Sequence, residues 1–145
     1  MAHIKSRQTG STCRVVRSVA SYQGKQRPTY AGGVSAESVG ARAIWLGMLT
    51  IPPKGRTKAH LHEQHETALY FVSGEADQWY GEDLSQHEVV RAGDYFYIPA
   101  GVSHVAVNRS QTEPLVVLGA RTDPNEQESV VLRPELDALV PTSAS

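Results

Sequence analysis

Turn-forming residues interrupt the chain about every ten residues from Ala41 onward, and this spacing is the strongest constraint on its fold. Pro52-Pro53 cannot continue a β-ladder, and Ser73-Gly74 and Pro99-Ala100-Gly101 are typical turn sequences. The segments between such turns are short and rich in apolar, aromatic and β-branched residues. Short strands at these intervals are typical of an antiparallel sandwich or barrel. We therefore predict an all-β domain.

The predicted elements divide the chain of 145 residues into three parts. The predicted strands are Ala41–Ile51, Thr67–Val72, Ala76–Tyr80, His87–Val90, Tyr95–Ile98, Val102–Asn108, Leu115–Ala120 and Val130–Leu132. Pro134–Leu139 is predicted to be a short helix, because proline is favoured in the first helical turn. We assign 1–40 to an N-terminal arm that could add strands, 41–133 to a barrel, and 134–145 to the short helix and a tail.

Composition and charge argue against several classes of protein. The first residues lack the apolar run of a signal peptide, and no stretch is long and apolar enough to span a membrane. We therefore expect a cytoplasmic protein with no membrane partner. Basic residues precede the first acidic residue, Glu37, but they are dispersed and no nucleic-acid-binding motif accompanies them. We predict no nucleic-acid partner.

Histidines are concentrated in two short segments. His60 and His62 lie two residues apart, so on a strand their side chains leave the same face. His104, after the turn at Pro99-Ala100-Gly101, could supply a third imidazole. Neutral imidazoles are common metal ligands, and three of them with a carboxylate suit iron, manganese, nickel, copper or zinc. The pattern predicts a divalent transition metal as the cofactor.

These two segments resemble the two motifs of the cupin family. The second motif, G-x5-P-x-G-x2-H-x3-N, is matched at every position by Gly93, Pro99, Gly101, His104 and Asn108. In the first motif, four residues separate Gly55 from the H-x-H pair where the family has five. The resemblance implies a double-stranded β-helix, a small jelly-roll-like barrel whose open end holds the metal. The short C-terminal helix predicted above follows this barrel.

The acidic ligand of the first motif is out of register in this chain. With three residues between it and His62, the acidic ligand would be Glu66, but with six residues between it and Gly74 the position falls on Thr67. A slip of one residue sends a strand side chain to the opposite face. Three alternatives remain: Glu66 is the fourth ligand if a bulge precedes Gly74, His65 replaces it, or Thr67 leaves the position to water. The predicted metal residues are therefore His60, His62, His65, Glu66 and His104.

The resemblance implies a metal-dependent enzyme, dioxygenase-like, that acts on a small organic substrate in the barrel. The cupin fold hosts unrelated activities, so a metal-dependent isomerase or lyase and a non-catalytic small-molecule-binding protein are the alternatives. No nucleotide-binding loop follows a strand, and no catalytic residue can be assigned. Because small cupins commonly pair through their sheets, we expect a homodimer.

Other residues are weaker candidates for the site. Arg42 and Arg121 could each neutralise an acidic substrate, but we expect each to be solvated or to lie in an interface. Glu63 and His87 are expected to be surface residues. The candidate pocket wall consists of Leu69, Phe71, Trp79, Tyr95, Tyr97 and Ala106, although aromatic residues in a small barrel more often belong to the core.

Overall fold

The computed structural model describes residues 12–17, 20–127 and 129–141, and its regular structure is almost entirely strand. The strands are β1 (Tyr22–Gln23), β2 (Thr29–Val34), β3 (Trp45–Ile51), β4 (His60–His62), β5 (Thr67–Ser73), β6 (Glu75–Tyr80), β7 (Gln86–Arg91), β8 (Tyr95–Ile98), β9 (His104–Asn108), β10 (Leu115–Arg121) and β11 (Val130–Leu132). A single-turn helix, α1 (Ala36–Val39), follows β2, and a 3₁₀ helix (Pro134–Leu139) follows β11. The predicted all-β domain with a short C-terminal helix is confirmed.

The strands form two antiparallel sheets. The six-stranded sheet has the order β1-β2-β3-β10-β5-β8, and the five-stranded sheet has the order β11-β4-β9-β6-β7. Consecutive strands often lie in opposite sheets, as β4 and β5 do. The chain therefore winds back and forth across the space between the sheets, and residues from distant segments meet there.

The main core fills the space between the two sheets. Strand β10 shows the principle: its buried residues Leu115, Val117 and Arg121 alternate with partly exposed ones, as expected for a strand with one face inward. A second, smaller core lies on the outer side of the five-stranded sheet, where Leu136 and Val140 pack with Val105 and other buried residues. The C-terminal segment thus covers the back of the sheet that carries the histidines.

Part of the segment assigned to the N-terminal arm joins the six-stranded sheet, since β2 pairs with β3. The sequence of β2 contains Gly32 and Gly33, which weaken its strand signal. Gly32 is needed there, because a Cβ atom at this position would lie 2.6 Å from Nε1 of Trp45. Residues 1–11, 18–19 and 142–145, which belong to the predicted arm and tail, lie outside the described residues.

Most strand boundaries fall within a few residues of the predicted ones. Tyr95–Ile98 and Val130–Leu132 coincide with the prediction, whereas β3 begins at Trp45 rather than Ala41 because residues 42–43 form a bend. In the part of the chain that the structure describes, no helix has the length and apolar character needed to cross a membrane.

Candidate metal centre

Three histidines meet in the space between the sheets. His60 and His62 lie on β4, and His104 lies on β9, where it is paired directly with His60 across the ladder. All three side chains are buried, and one ring nitrogen from each lies within 4.8 Å of the others. The period-two geometry of β4 and the antiparallel register therefore bring together the three imidazoles that the sequence predicts as ligands.

Backbone carbonyl groups orient two of the rings. Nδ1 of His60 lies 2.7 Å from the carbonyl oxygen of Lys58, and Nδ1 of His104 lies 2.9 Å from that of Val102. Because a carbonyl can only accept, each Nδ1 carries the proton and each Nε2 keeps a free lone pair. A hydrogen bond from the ring nitrogen that does not bind the metal fixes the tautomer of a metal-binding histidine.

His62 completes the group with two ring nitrogens that have no hydrogen-bond partner among the described residues. A buried polar atom without a partner is costly, and a metal ion would satisfy one of these nitrogens. The donor set of three buried imidazoles therefore fits a divalent transition metal.

Burial keeps the three imidazoles neutral. Desolvation lowers the pKa of His62 to about 2, with Arg121 and His104 as further causes. It lowers the pKa of His104 to about 4 against the opposing hydrogen bond to Val102, and that of His60 well below its ordinary value. Neutral imidazoles need lose no proton before they bind a metal, so the site is ready for a metal at neutral pH.

The other residues of the second motif fix the turns and loops next to β8 and β9. Gly93 and Gly101 have φ angles of +94° and +79°, a backbone conformation that favours glycine. The buried amide nitrogen of Asn108 lies 2.9 to 3.1 Å from the carbonyl oxygens of Ile51, Pro52 and Glu113. Asn108 thus ties the loop that follows β3 to the loop that precedes β10.

Thr67 is the residue at which the count back from Gly74 places the acidic ligand. It is the first residue of β5, it is buried, and it lines the same cavity as His60 and His104. Thr67, Leu69 and Phe71 alternate inward without interruption. A register shift does occur between β5 and β10, but it lies beyond Phe71 and so leaves the facing of Glu66 unchanged. Thr67 therefore faces the cavity, and its side chain brings no carboxylate there.

Among the described residues, neither Glu66 nor His65 belongs to the group of histidines whose ring nitrogens converge. Glu66 points outward, where its Oε1 accepts a 2.7 Å hydrogen bond from the hydroxyl group of Tyr97. Nδ1 of His65 lies 3.7 Å from Oδ2 of Asp123. The strand does not extend back to His65, because residues 63–64 form a bend. The period-two rule that would have placed His65 beside Thr67 therefore does not apply there.

Arg121 is a cavity residue that the sequence reasoning placed elsewhere. The expectation of a solvated or interface arginine is wrong, since Arg121 is 4% exposed and lines the cavity with the histidines and Thr67. Its guanidinium donates a 3.1 Å hydrogen bond to Glu126, which is also buried. The alternation of Leu115, Val117 and Gly119 along β10 was the signal that could have predicted its inward direction. Arg42 is exposed, at a bend.

The candidate pocket wall is divided between the cavity and other surfaces. Leu69, Phe71 and Ala106 line the cavity. Trp79 packs against the second core, and Tyr95 and Tyr97 are exposed on the outer face of the six-stranded sheet. The expectation that Glu63 and His87 are surface residues is confirmed.

The chain belongs to the cupin family, because residues 47–120 match the cupin domain. A double-stranded β-helix protein from Klebsiella pneumoniae matches 77% of this chain and 88% of its own, with 18% identity and a TM-score of 0.60. The predicted double-stranded β-helix is thereby confirmed.

Two enzymes have similar folds but longer chains. An oxalate decarboxylase from Lactobacillus farciminis, solved as a formate complex, is 23% identical over 85% of this chain and 36% of its own, with a TM-score of 0.66. A recombinant oxalate oxidase in complex with glycolate is 16% identical over 85% of this chain and 63% of its own, with a TM-score of 0.65. At such identities the likeness concerns the fold. No curated protein matches the chain in sequence.

Proposed function

We propose that this cupin is a metal-dependent enzyme, dioxygenase-like, that acts on a small organic substrate at the centre formed by His60, His62 and His104. The observation that carries this proposal is the convergence of three buried, neutral imidazoles on one point. Three protein ligands leave coordination positions open for other molecules, as catalytic metal sites require. A structural site would instead be closed by a fourth protein ligand.

The chain's residues hold and shield the centre. His60 and His104 are fixed by their backbone hydrogen bonds, and the apolar side chains of Leu69 and Phe71 limit the access of water. A metal bound there supplies Lewis acidity and, for iron, manganese or copper, redox chemistry. The low-dielectric surroundings strengthen the electrostatic interactions of any polar substrate inside.

Two alternatives make different demands on the metal. An isomerase or lyase needs only a Lewis acid such as zinc and no dioxygen, and a non-catalytic binding protein needs no turnover. The oxalate decarboxylase and oxalate oxidase of similar fold make oxalate, formate and glycolate the first compounds to test. Consumption of dioxygen with a redox-active native metal would support the dioxygenase-like activity, and a zinc-filled protein that consumes none would contradict it.

The primary test is the metal content of purified protein. His60→Ala and His104→Ala should each abolish stoichiometric metal, whereas His87→Ala should leave it unchanged because His87 lies outside the centre and bonds to Asp77. Full metal occupancy in the first two variants would overturn the proposed site. Circular dichroism of all three variants separates loss of metal from loss of fold.

A homodimer is also part of the proposal. Leu46, Tyr95 and Tyr97 are 40 to 80% exposed on the outer face of the six-stranded sheet. A row of large side chains crosses this face, in which Leu118 is paired with Met48 and Tyr70, and Tyr70 is paired with Tyr95. An apolar face of this kind is typical of an interface. Light scattering should show that the wild type is a dimer and that Tyr95→Glu is a monomer, and a monomeric wild type would contradict the proposal.

The cytoplasmic location and the lack of nucleic-acid and membrane partners stay predictions.

A further inference from the structure

A metal at this centre would carry an uncompensated charge. Imidazoles that bind a metal are neutral, and Thr67, which lines the cavity with His60 and His104, has no carboxylate. Burying an uncompensated charge is costly, so a dication in such a site favours an anion as its remaining ligand. Such an anion would complete the proposed metal centre, and its binding rests on that centre.

Three buried polar atoms in the cavity wall have no hydrogen-bond partner in the described part of the chain. They are Nε of Arg121, Oγ1 of Thr67 and Oε1 of Gln78, and all three residues line the cavity with His60 and His104. Arg121 and Thr67 are direct neighbours across the ladder between β10 and β5. Two of the three groups can therefore donate hydrogen bonds from the same wall, and half a turn of the Gln78 amide would add a third donor.

Buried neighbours hold the side chain of Arg121 in place. Glu126 accepts a hydrogen bond from its NH1 group, and the rings of Tyr30 and Trp45 lie 5.6 and 5.3 Å from the guanidinium carbon. Glu126 is itself fixed by a 2.8 Å hydrogen bond from Tyr22. Glu126 balances the charge of Arg121, so the contribution of Arg121 is a fixed N–H donor. The surplus positive charge belongs to the metal.

A second buried carboxylate, Asp123, lies in the same region and leaves this conclusion unchanged. Its Oδ2 faces Nδ1 of His65 at 3.7 Å, and Asp123 does not line the cavity. It therefore does not take the place of the missing acidic ligand.

The size of the cavity limits the anion. The space open to water-sized molecules is about 30 Å³, enough for about two or three waters. We propose that a carboxylate of one or two carbons binds there as the anionic partner of the metal and accepts hydrogen bonds from Nε of Arg121 and Oγ1 of Thr67. Formate and acetate have this size and charge, whereas benzoate does not fit.

The test is calorimetric titration of formate into protein whose metal content is measured in the same sample. Zinc-loaded wild type should bind one formate per chain, and the metal-free protein should bind it at least tenfold more weakly. Thr67→Val and Arg121→Lys should each weaken binding about tenfold, because each loses one hydrogen bond to a charged group. Thr50→Val, the same change on the outer side of β3, should leave binding unchanged.

The outcomes separate this inference from the proposed metal centre. Protein that takes up no metal contradicts the centre itself. Fully loaded protein that binds no formate, or that binds benzoate or chloride as tightly, overturns the carboxylate site. Equal formate affinity in Thr67→Val and the wild type would do the same. Thr67→Val preserves the shape of the side chain, so it tests the inference even if Arg121→Lys disturbs the buried pair with Glu126.

Discussion

The two segments that supply the histidines differ in how their positions are determined. In the second motif, Gly93, Gly101 and Asn108 fix a turn and two loops through local backbone conformation and direct hydrogen bonds. In the first motif, β4 ends at His62 and the chain crosses to the opposite sheet before β5 begins at Thr67. The position of a ligand that depends on a local turn can therefore be predicted from residue spacing. The position of a ligand that depends on the register of a strand in the other sheet cannot.

Acid should destabilise the metal-free protein, and the histidines of the two motifs should contribute over different pH ranges. The unfolded chain binds protons near pH 6.5, whereas the folded state resists protonation down to about pH 4 at His104 and about pH 2 at His62. Stability is therefore complete above pH 6.5 and falls as the pH decreases, by up to about 1.4 kcal/mol per pH unit for each imidazole.

Urea unfolding of chelator-treated protein between pH 7 and 5 measures this loss. Three imidazoles together give a slope of about 4 kcal/mol per pH unit below pH 6. His104→Ala should reduce the slope by about a third, and an unchanged slope would mean that His104 titrates normally in the folded state.

Removing the amide of Asn108 should damage the second motif. Asn108→Ala removes the buried amide that donates to the carbonyl groups of Ile51, Pro52 and Glu113, at an expected cost of about 3 kcal/mol in the free energy of unfolding. Urea denaturation measures this cost, and Asn125→Ala at an exposed position is the matched control. Equal stability of the two variants would show that the two loops do not depend on this amide.

Restoring a carboxylate at position 67 should supply the acidic ligand that the first motif lacks there, whereas the second motif is already complete. Thr67→Glu would place an acidic side chain inside the cavity, and we expect zinc affinity to rise about tenfold through charge neutralisation. The same variant should lose its binding of formate, since it carries its own anion. Competition with a chromophoric chelator measures the affinity, and unchanged affinity would contradict the placement of Thr67 at the metal.

The smallest effects should come from the two residues that the first motif offered as ligands. Glu66→Ala removes only the hydrogen bond from the exposed Tyr97, and His65→Ala removes only a neighbour of Asp123. Neither variant should change metal affinity by more than about twofold, which corresponds to roughly 0.4 kcal/mol. A loss of tenfold or more in either variant would make that residue the fourth ligand after all.

Features that depend on residues close in the sequence could be predicted, and features that depend on distant residues could not. The strands Tyr95–Ile98 and Val130–Leu132 could be predicted to the residue, because turn residues bound them on both sides. Strand β2 could not be predicted, since its two glycines weaken the strand pattern and Gly32 is explained only by the indole of Trp45 that packs against it. His60, His62 and His104 could be predicted because a period of two and one turn suffice to orient them.

The all-β fold, the cupin resemblance and the three histidines could be predicted from the amino-acid sequence alone, because strand alternation and turn residues act over a few positions. The tertiary structure was needed to show that Thr67 lines the cavity with His60 and His104 while Glu66 faces outward, and that Glu126 lies beside the inward-facing Arg121. These outcomes depend on how β5 and β10 pair and on how the two sheets pack. A shift of one residue in that pairing would exchange the inner and outer faces, and no local pattern records which register is chosen.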